Sequence, residues 1–214
     1  MSPLVKICGL KTVEAVQAAK GADYFGFVFF PPSPRNITSE NAEKLKAYAS
    51  GRTVAVTVDA GDDFLSEIFS KFRPDYIQLH GYETPERIKE IRQKFGIPII
   101  KAFNISTPAD IEAVSLLEGI SDMLLFDAKS PKGLHGGTGL TFDWRMLTEK
   151  TFTKPWFLSG GINIANLEEA LRISSATMVD ISSSLESAPG VKDPVQITEF
   201  MKKVKAIKIY SHSK

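Results

Sequence analysis

Apolar residues in this chain come in short unbroken runs separated by turn residues and polar stretches. The runs are Val5-Lys6-Ile7-Cys8, Tyr24-Phe25-Gly26-Phe27-Val28-Phe29-Phe30, Val54-Ala55-Val56-Thr57-Val58 and Tyr76-Ile77-Gln78-Leu79. They continue with Pro98-Ile99-Ile100-Lys101-Ala102-Phe103, Met123-Leu124-Leu125-Phe126, Trp156-Phe157-Leu158 and Thr177-Met178-Val179-Asp180-Ile181. Short apolar runs rich in β-branched and aromatic residues read as strands covered on both faces. Between them the apolar positions change to helical spacing behind capping residues. Thr12 opens a helix through Val13, Val16 and Ala19 that stops at Gly21, and Thr38 opens one reaching about Ser50. Asp62 or Asp63 opens the next, with Phe64, Ile68 and Phe72 on one face, and Thr84-Pro85 one with Ile88 and Ile91. Thr107-Pro108 begins a helix ending near Gly119, Asp143 a short one, Asn163 one through Leu167, Ala170 and Leu171, and Asp193-Pro194 the last, with Phe200 and Val204. Strand then helix, eight times without a break in composition, predicts a single-domain α/β protein over residues 1–214, a (β/α)8 TIM barrel. An open doubly wound sheet is the rival. It wants G-x-G-x-x-G after its first strand, and Cys8-Gly9-Leu10-Lys11 does not supply it.

Charge and composition narrow the function classes. Lys+Arg number 26 against 25 Asp+Glu, so no basic excess points to nucleic acid. No apolar run is long enough to span a membrane, and the N-terminal residues lack a signal-peptide pattern. A lone cysteine forms no internal disulfide, and it and three histidines lie scattered, unlike a metal site. The expectation is a cytoplasmic protein that needs neither metal nor cofactor.

In a barrel the residues after each strand meet at one mouth, where ligands bind. They are Cys8, Arg35, Asp59, His80, Asn104, Asp127, Gly160-Gly161 and Ser182-Ser183, with Asp180 facing inward by strand alternation. Cys8 is a base or nucleophile if its pKa is lowered, and otherwise a small buried hydrophobe. Asp127 ends a wholly apolar strand, where partial burial favours a protonated acid; otherwise it is a loop carboxylate. Arg35, behind the stiff Pro31-Pro32-Ser33-Pro34, suits bidentate grip on a carboxylate, or is a solvated surface arginine. His80 is a catalytic, orienting or substrate-binding group, or a histidine hydrogen-bonded at a strand end. Gly160-Gly161 before a capped helix, with the Ser182-Ser183-Ser184 run and a short helical turn, suits a phosphate. The stretch Lys132-Gly133-Leu134-His135-Gly136-Gly137-Thr138-Gly139 reads as a mobile loop.

Several of these segments, in order, resemble one family. They are Lys6-Ile7-Cys8-Gly9, Gly26-Phe27-Val28-Phe29 with Ser33-Pro34-Arg35, Gln78-Leu79-His80-Gly81 and Leu125-Phe126-Asp127. Gly136-Gly137-Thr138-Gly139 with Phe142-Asp143-Trp144, Ser159-Gly160-Gly161 and Val179-Asp180-Ile181-Ser182-Ser183 complete the set. Together they are similar to phosphoribosylanthranilate isomerase, a (β/α)8 barrel of tryptophan biosynthesis. The resemblance implies a cofactor-free Amadori rearrangement of a phosphosugar substrate, with Asp127 as general acid and Cys8 as general base. It further implies Arg35 on the anthranilate carboxylate, Asp180 on a sugar hydroxyl, and backbone N–H groups near Gly161, Ser182 and Ser183 on the phosphate. No nucleic-acid or membrane partner is implied, and the chain is expected as a monomer or homodimer. The family usually has Ser-Ser-Gly after the eighth strand, so Ser184 is a departure. Two other readings compete: a Schiff-base aldolase using Lys101, and a non-catalytic barrel that binds a phosphorylated ligand.

Overall fold

The computed structural model describes residues 1–128, 141–148 and 150–208. Eight strands run parallel and close on themselves in sequence order, β1 pairing with both β2 and β8. They are β1 Leu4–Cys8, β2 Tyr24–Phe29, β3 Arg52–Thr57, β4 Tyr76–Leu79, β5 Ile99–Ile105, β6 Met123–Ala128, β7 Trp156–Leu158 and β8 Met178–Ile181. The helices are α1 Val13–Ala18, α2 Ser39–Lys46, α3 Asp62–Lys71, α4 Pro85–Phe95, α5 Pro108–Ala113, α6 Ser115–Glu118, α7 Leu167–Ser174 and α8 Pro194–Ala206. None of them is long and apolar enough to cross a membrane.

Alternation along the strands sorts the core into two layers. Cys8, Tyr24, Val28, Val54, Val56, Ile100, Ala102, Met123, Leu125, Phe157 and Met178 pack together inside the barrel. Their strand neighbours of opposite parity, among them Val5, Ile7, Phe25, Phe27, Leu124, Phe126 and Val179, pack outward against the helices. At the lower end Tyr24 sits edge-on between Tyr76 and Phe157, with the Arg52 guanidinium donating to its hydroxyl. A polar device recurs beside this floor. Asp23, Asp75 and Asp122 each precede an even-numbered strand and accept the amide of Val5, Thr53 and Ile99 on the strand before. Each aspartate satisfies an amide at a strand start and fixes one pair of strands in register.

Several helices depart from the sequence expectation. The helix behind Thr38 ends at Lys46, before Ser50. The span expected as one helix from Thr107 to Gly119 is two, broken at Val114. Asn163 does not cap α7: its carboxamide closes a turn on the amides of Ala165 and Asn166, and Asn166 takes the N-cap position. Neither side chain caps α7: Asn163 is spent on the turn, and the Asn166 side-chain oxygen accepts the Asn163 amide. Among the described residues, the segment between β6 and β7 holds only the 3₁₀ turn Trp144–Leu147, capped by Asp143 as expected. The glycine-rich stretch 132–139 lies outside the described residues. The hairpin of β9 Glu186–Ala188 and β10 Val191–Lys192, between β8 and α8, was not expected.

Candidate active site

The inward parity that fills the barrel's lower half with apolar side chains supplies polar ones at its upper end. On β1 the inward positions are Lys6 and Cys8; on β4 and just beyond, Gln78 and His80; on β6, Asp127; after β7, Ser159; on β8 and just beyond, Asp180 and Ser182. Cys8, His80, Asp127 and Asp180 are all buried. The strands therefore bring Cys8, His80, Asp127, Asp180 and Ser182 to one mouth, as the residue order implied.

Each group is held by its neighbours. Gly26 is the register partner of Cys8, and a Cβ there would lie 3.0 Å from the Cys8 Sγ. The Ser182 hydroxyl donates to the Cys8 carbonyl at 3.1 Å, tying β8 to β1. Burial pushes the Cys8 thiol up. The Lys6 ammonium opposes this first, Asp180 adds to it, and Lys192 opposes it more weakly. Asp127 accepts the amide of Ala128 on Oδ1, while its Oδ2 lies 3.5 Å from His80 Nε2. The Gln78 carboxamide, at 2.9 Å, donates to His80 Nδ1.

Arg35 is not a solvated arginine. Its stem lies against Gly9, and its guanidinium grips Glu186 with Nε to Oε1 at 2.7 Å and Nη2 to Oε2 at 2.8 Å. Glu186 also binds the Lys192 ammonium and accepts the Gly190 amide. Lys192 donates in turn to the Ser182 carbonyl at 3.0 Å. Its ammonium is held below its usual pKa, burial outweighing the pull of Glu186. The hairpin β9–β10 thus carries an ion network that joins the loop after β2 to the loop after β8.

The expected anion turn has the backbone that glycine permits. Gly160 and Gly161 take φ of +83° and +67° in succession. Ser183–Leu185 form a 3₁₀ turn beside them. Ser184 is absent from the positive-φ residues, and its hydroxyl donates to the Ile162 carbonyl at 2.6 Å. The Ser184 side chain therefore stitches the loop after β8 to the loop after β7.

Lys101, the nucleophile of the aldolase reading, faces away from the mouth. Its parity is opposite to that of Ile100 and Ala102, and its ammonium is buried on Glu83 at 2.8 Å and the Gly81 carbonyl at 2.8 Å. Asp59, after β3, serves the neighbouring loop after β4, accepting the Tyr82 amide at 2.7 Å from a backbone with φ of +46°.

The model of the N-(5'-phosphoribosyl)anthranilate (PRA) isomerase family matches residues 5–203. The chain belongs to this family. The N-(5'-phosphoribosyl)anthranilate isomerase of Brucella canis is 50% identical over 206 residues, covering 94% of this chain and 93% of that protein. The crystal structure of phosphoribosyl anthranilate isomerase from Thermotoga maritima superimposes with a TM-score of 0.85 at 33% identity, covering 96% of this chain and 100% of that one. A phosphoribosyl anthranilate isomerase crystallised with reduced 1-(o-carboxyphenylamino)-1-deoxyribulose 5-phosphate does so with a TM-score of 0.82 at 30% identity, again over 96% and 100%.

Within this PRA isomerase barrel, five side chains escape a reading of the sequence alone: Lys6, Gln78, Ser159, Glu186 and Lys192. The first three had a signal. Each has the inward parity of a recognised neighbour two residues away. Glu186 and Lys192 had none, because their place depends on a hairpin of very short strands.

Proposed function

We propose that this chain converts N-(5'-phosphoribosyl)anthranilate to 1-(2-carboxyphenylamino)-1-deoxy-D-ribulose 5-phosphate, a step of L-tryptophan biosynthesis, with Asp127 as general acid and Cys8 as general base. What carries the reading is one juxtaposition: a buried thiol and a buried carboxyl enter one barrel mouth from β1 and β6, with Gly160-Gly161 beside them. The ligand named for the related crystal structure, a reduced form of that product, agrees with it.

The chemistry follows from these groups. Asp127 gives a proton to the furanose ring oxygen. The bond from C1 to that oxygen breaks, and the nitrogen lone pair forms a protonated Schiff base at C1. Cys8, as thiolate, removes the proton on C2, and the electron pair left behind neutralises the iminium to an enolamine. Tautomerisation gives the ketone. The positive iminium favours the thiolate exactly when it is needed, offsetting the burial that holds the resting thiol protonated. His80, with Nε2 3.5 Å from the Asp127 carboxyl, lies where it can bind the substrate. Arg35 binds the anthranilate carboxylate, Asp180 a sugar hydroxyl, and the amides near Gly160, Gly161, Ser182 and Ser183 the phosphate.

The test is turnover of freshly made phosphoribosylanthranilate, followed as loss of anthranilate-type fluorescence. Cys8→Ala and Asp127→Ala should each lower kcat by at least ~10² with the fold intact. Near-normal turnover in either folded variant removes that residue from its role.

A further inference from the structure

Lys6 is the most deeply buried cation in the site, with no exposed surface. Placing an ammonium there costs several kcal/mol before any partner is counted, and an apolar pair of similar volume is often as stable or more so. Its ion pair with Asp180, at 2.8 Å, satisfies the charge but does not explain why a charge is there.

The strand geometry supplies a reason. Lys6 and Cys8 are two apart on β1 and share the inward face. Lys6 is the register partner of Asp180 on β8, so ammonium, carboxylate and thiol form a compact group across one strand pair. The Ser159 hydroxyl donates to the other Asp180 oxygen at 3.2 Å and fixes that carboxylate from β7. Lys192 acts on the thiol from the hairpin, with Glu186 and Arg35 behind it. Of these cations Lys6 bears most strongly on the thiol.

We propose that Lys6 is the positioning residue for the base: its ammonium holds the Cys8 thiolate by charge, and Asp180 sets how much of that charge the thiolate receives. The inference rests on Cys8 being the base, so its test must separate the two. Burial pushes the thiol up and Lys6 counters it, which agrees in sign.

Cys8 is the sole cysteine, so ultraviolet thiolate absorbance and the rate of alkylation report on it alone. Titrated without substrate, Lys6→Met should move the thiolate midpoint up by roughly 1–3 pH units, the usual effect of losing a close opposite charge. Asp180→Asn should move it down. Should either single variant fail to fold, Lys6→Met/Asp180→Asn leaves no unpaired buried charge. It should titrate above Asp180→Asn, which keeps the lysine. A midpoint unmoved, or lowered, in the folded Lys6→Met protein against wild type, or in the double variant against Asp180→Asn, overturns the role of Lys6. The pH profile of kcat then addresses the base itself. If the absorbance midpoint moves and the acid limb of kcat moves with it, both readings stand. If only the absorbance moves, Lys6 still governs the thiol but Cys8 is not the base.

Discussion

Gly160 sits where two strand ends come closest, and a single methyl group tests that packing. A Cβ on Gly160 would lie 2.5 Å from the Ala128 amide nitrogen, 2.9 Å from the Ala128 Cβ and 3.1 Å from Asp127 Oδ1. The first of these is backbone and cannot swing away. Gly160→Ala therefore carries two costs: about 1–2 kcal/mol for a side chain at positive φ, and about 1–3 kcal/mol for overpacking. Gly96 is an internal control. It also has positive φ, +60°, but a Cβ there meets nothing within 4 Å. Gly96→Ala should show the first cost alone. Thermal unfolding should then place Gly160→Ala below Gly96→Ala by roughly 2–12 °C, at about 2–4 °C per kcal/mol for a chain of this size. The functional readout is sharper. Relief of the clash must push against the β6 end that carries Asp127, so kcat should fall in Gly160→Ala and hold in Gly96→Ala. If both variants unfold together and turn over alike, the close seating of this turn on Asp127 is wrong.

Arg35→Ala should weaken binding of the carboxylate-bearing substrate by roughly 1.5–3 kcal/mol, read as a rise in KM. An analogue lacking that carboxylate should be spared, and an equal loss with it removes Arg35 from the role. Ser184→Gly should leave KM within a few-fold, since Ser184 already has negative φ, and a much tighter KM would mark the serine as an impediment to phosphate. Burial works to raise the Glu186 carboxyl, but Arg35, Lys192 and the Gly190 amide outweigh it and hold it below the usual carboxylate range. The stability this group contributes is complete above the ordinary glutamate pKa of ~4.3. It is lost as pH falls through the lower folded value. Glu186→Gln should therefore flatten the acid side of the stability–pH curve measured by urea unfolding, and an unchanged curve would show the network contributes nothing there.

The barrel was legible because parallel strands covered on both faces must be continuous apolar runs, and eight such runs with capped helices between them leave few arrangements. The mouth was legible for a related reason: period two assigns Cys8, His80, Asp127 and Asp180 to the interior once the strands are placed. Local competition was harder to read. Asn163 and Asn166 are both capable caps, and the turn takes both side chains. Long-range pairing was illegible. Arg35 reads as a grip for a carboxylate or as a surface residue, and nothing local points to Glu186, 151 positions away, as the carboxylate folded against it. Lys101 reads as a candidate nucleophile until parity turns it outward onto Glu83.

The contact between Lys6 and Asp180 spans 174 positions, nearly the whole chain. During synthesis the lysine emerges 174 positions ahead of its partner. Until the eighth strand leaves the ribosome, the first strand offers its neighbours an ammonium with no counter-ion, and that charge resists burial. A barrel lacking its eighth strand would thus lack Asp180 and be penalised at its centre as well. The same ion pair that serves the thiol makes arrival of the eighth strand a condition for closing the barrel without an unpaired charge at its centre.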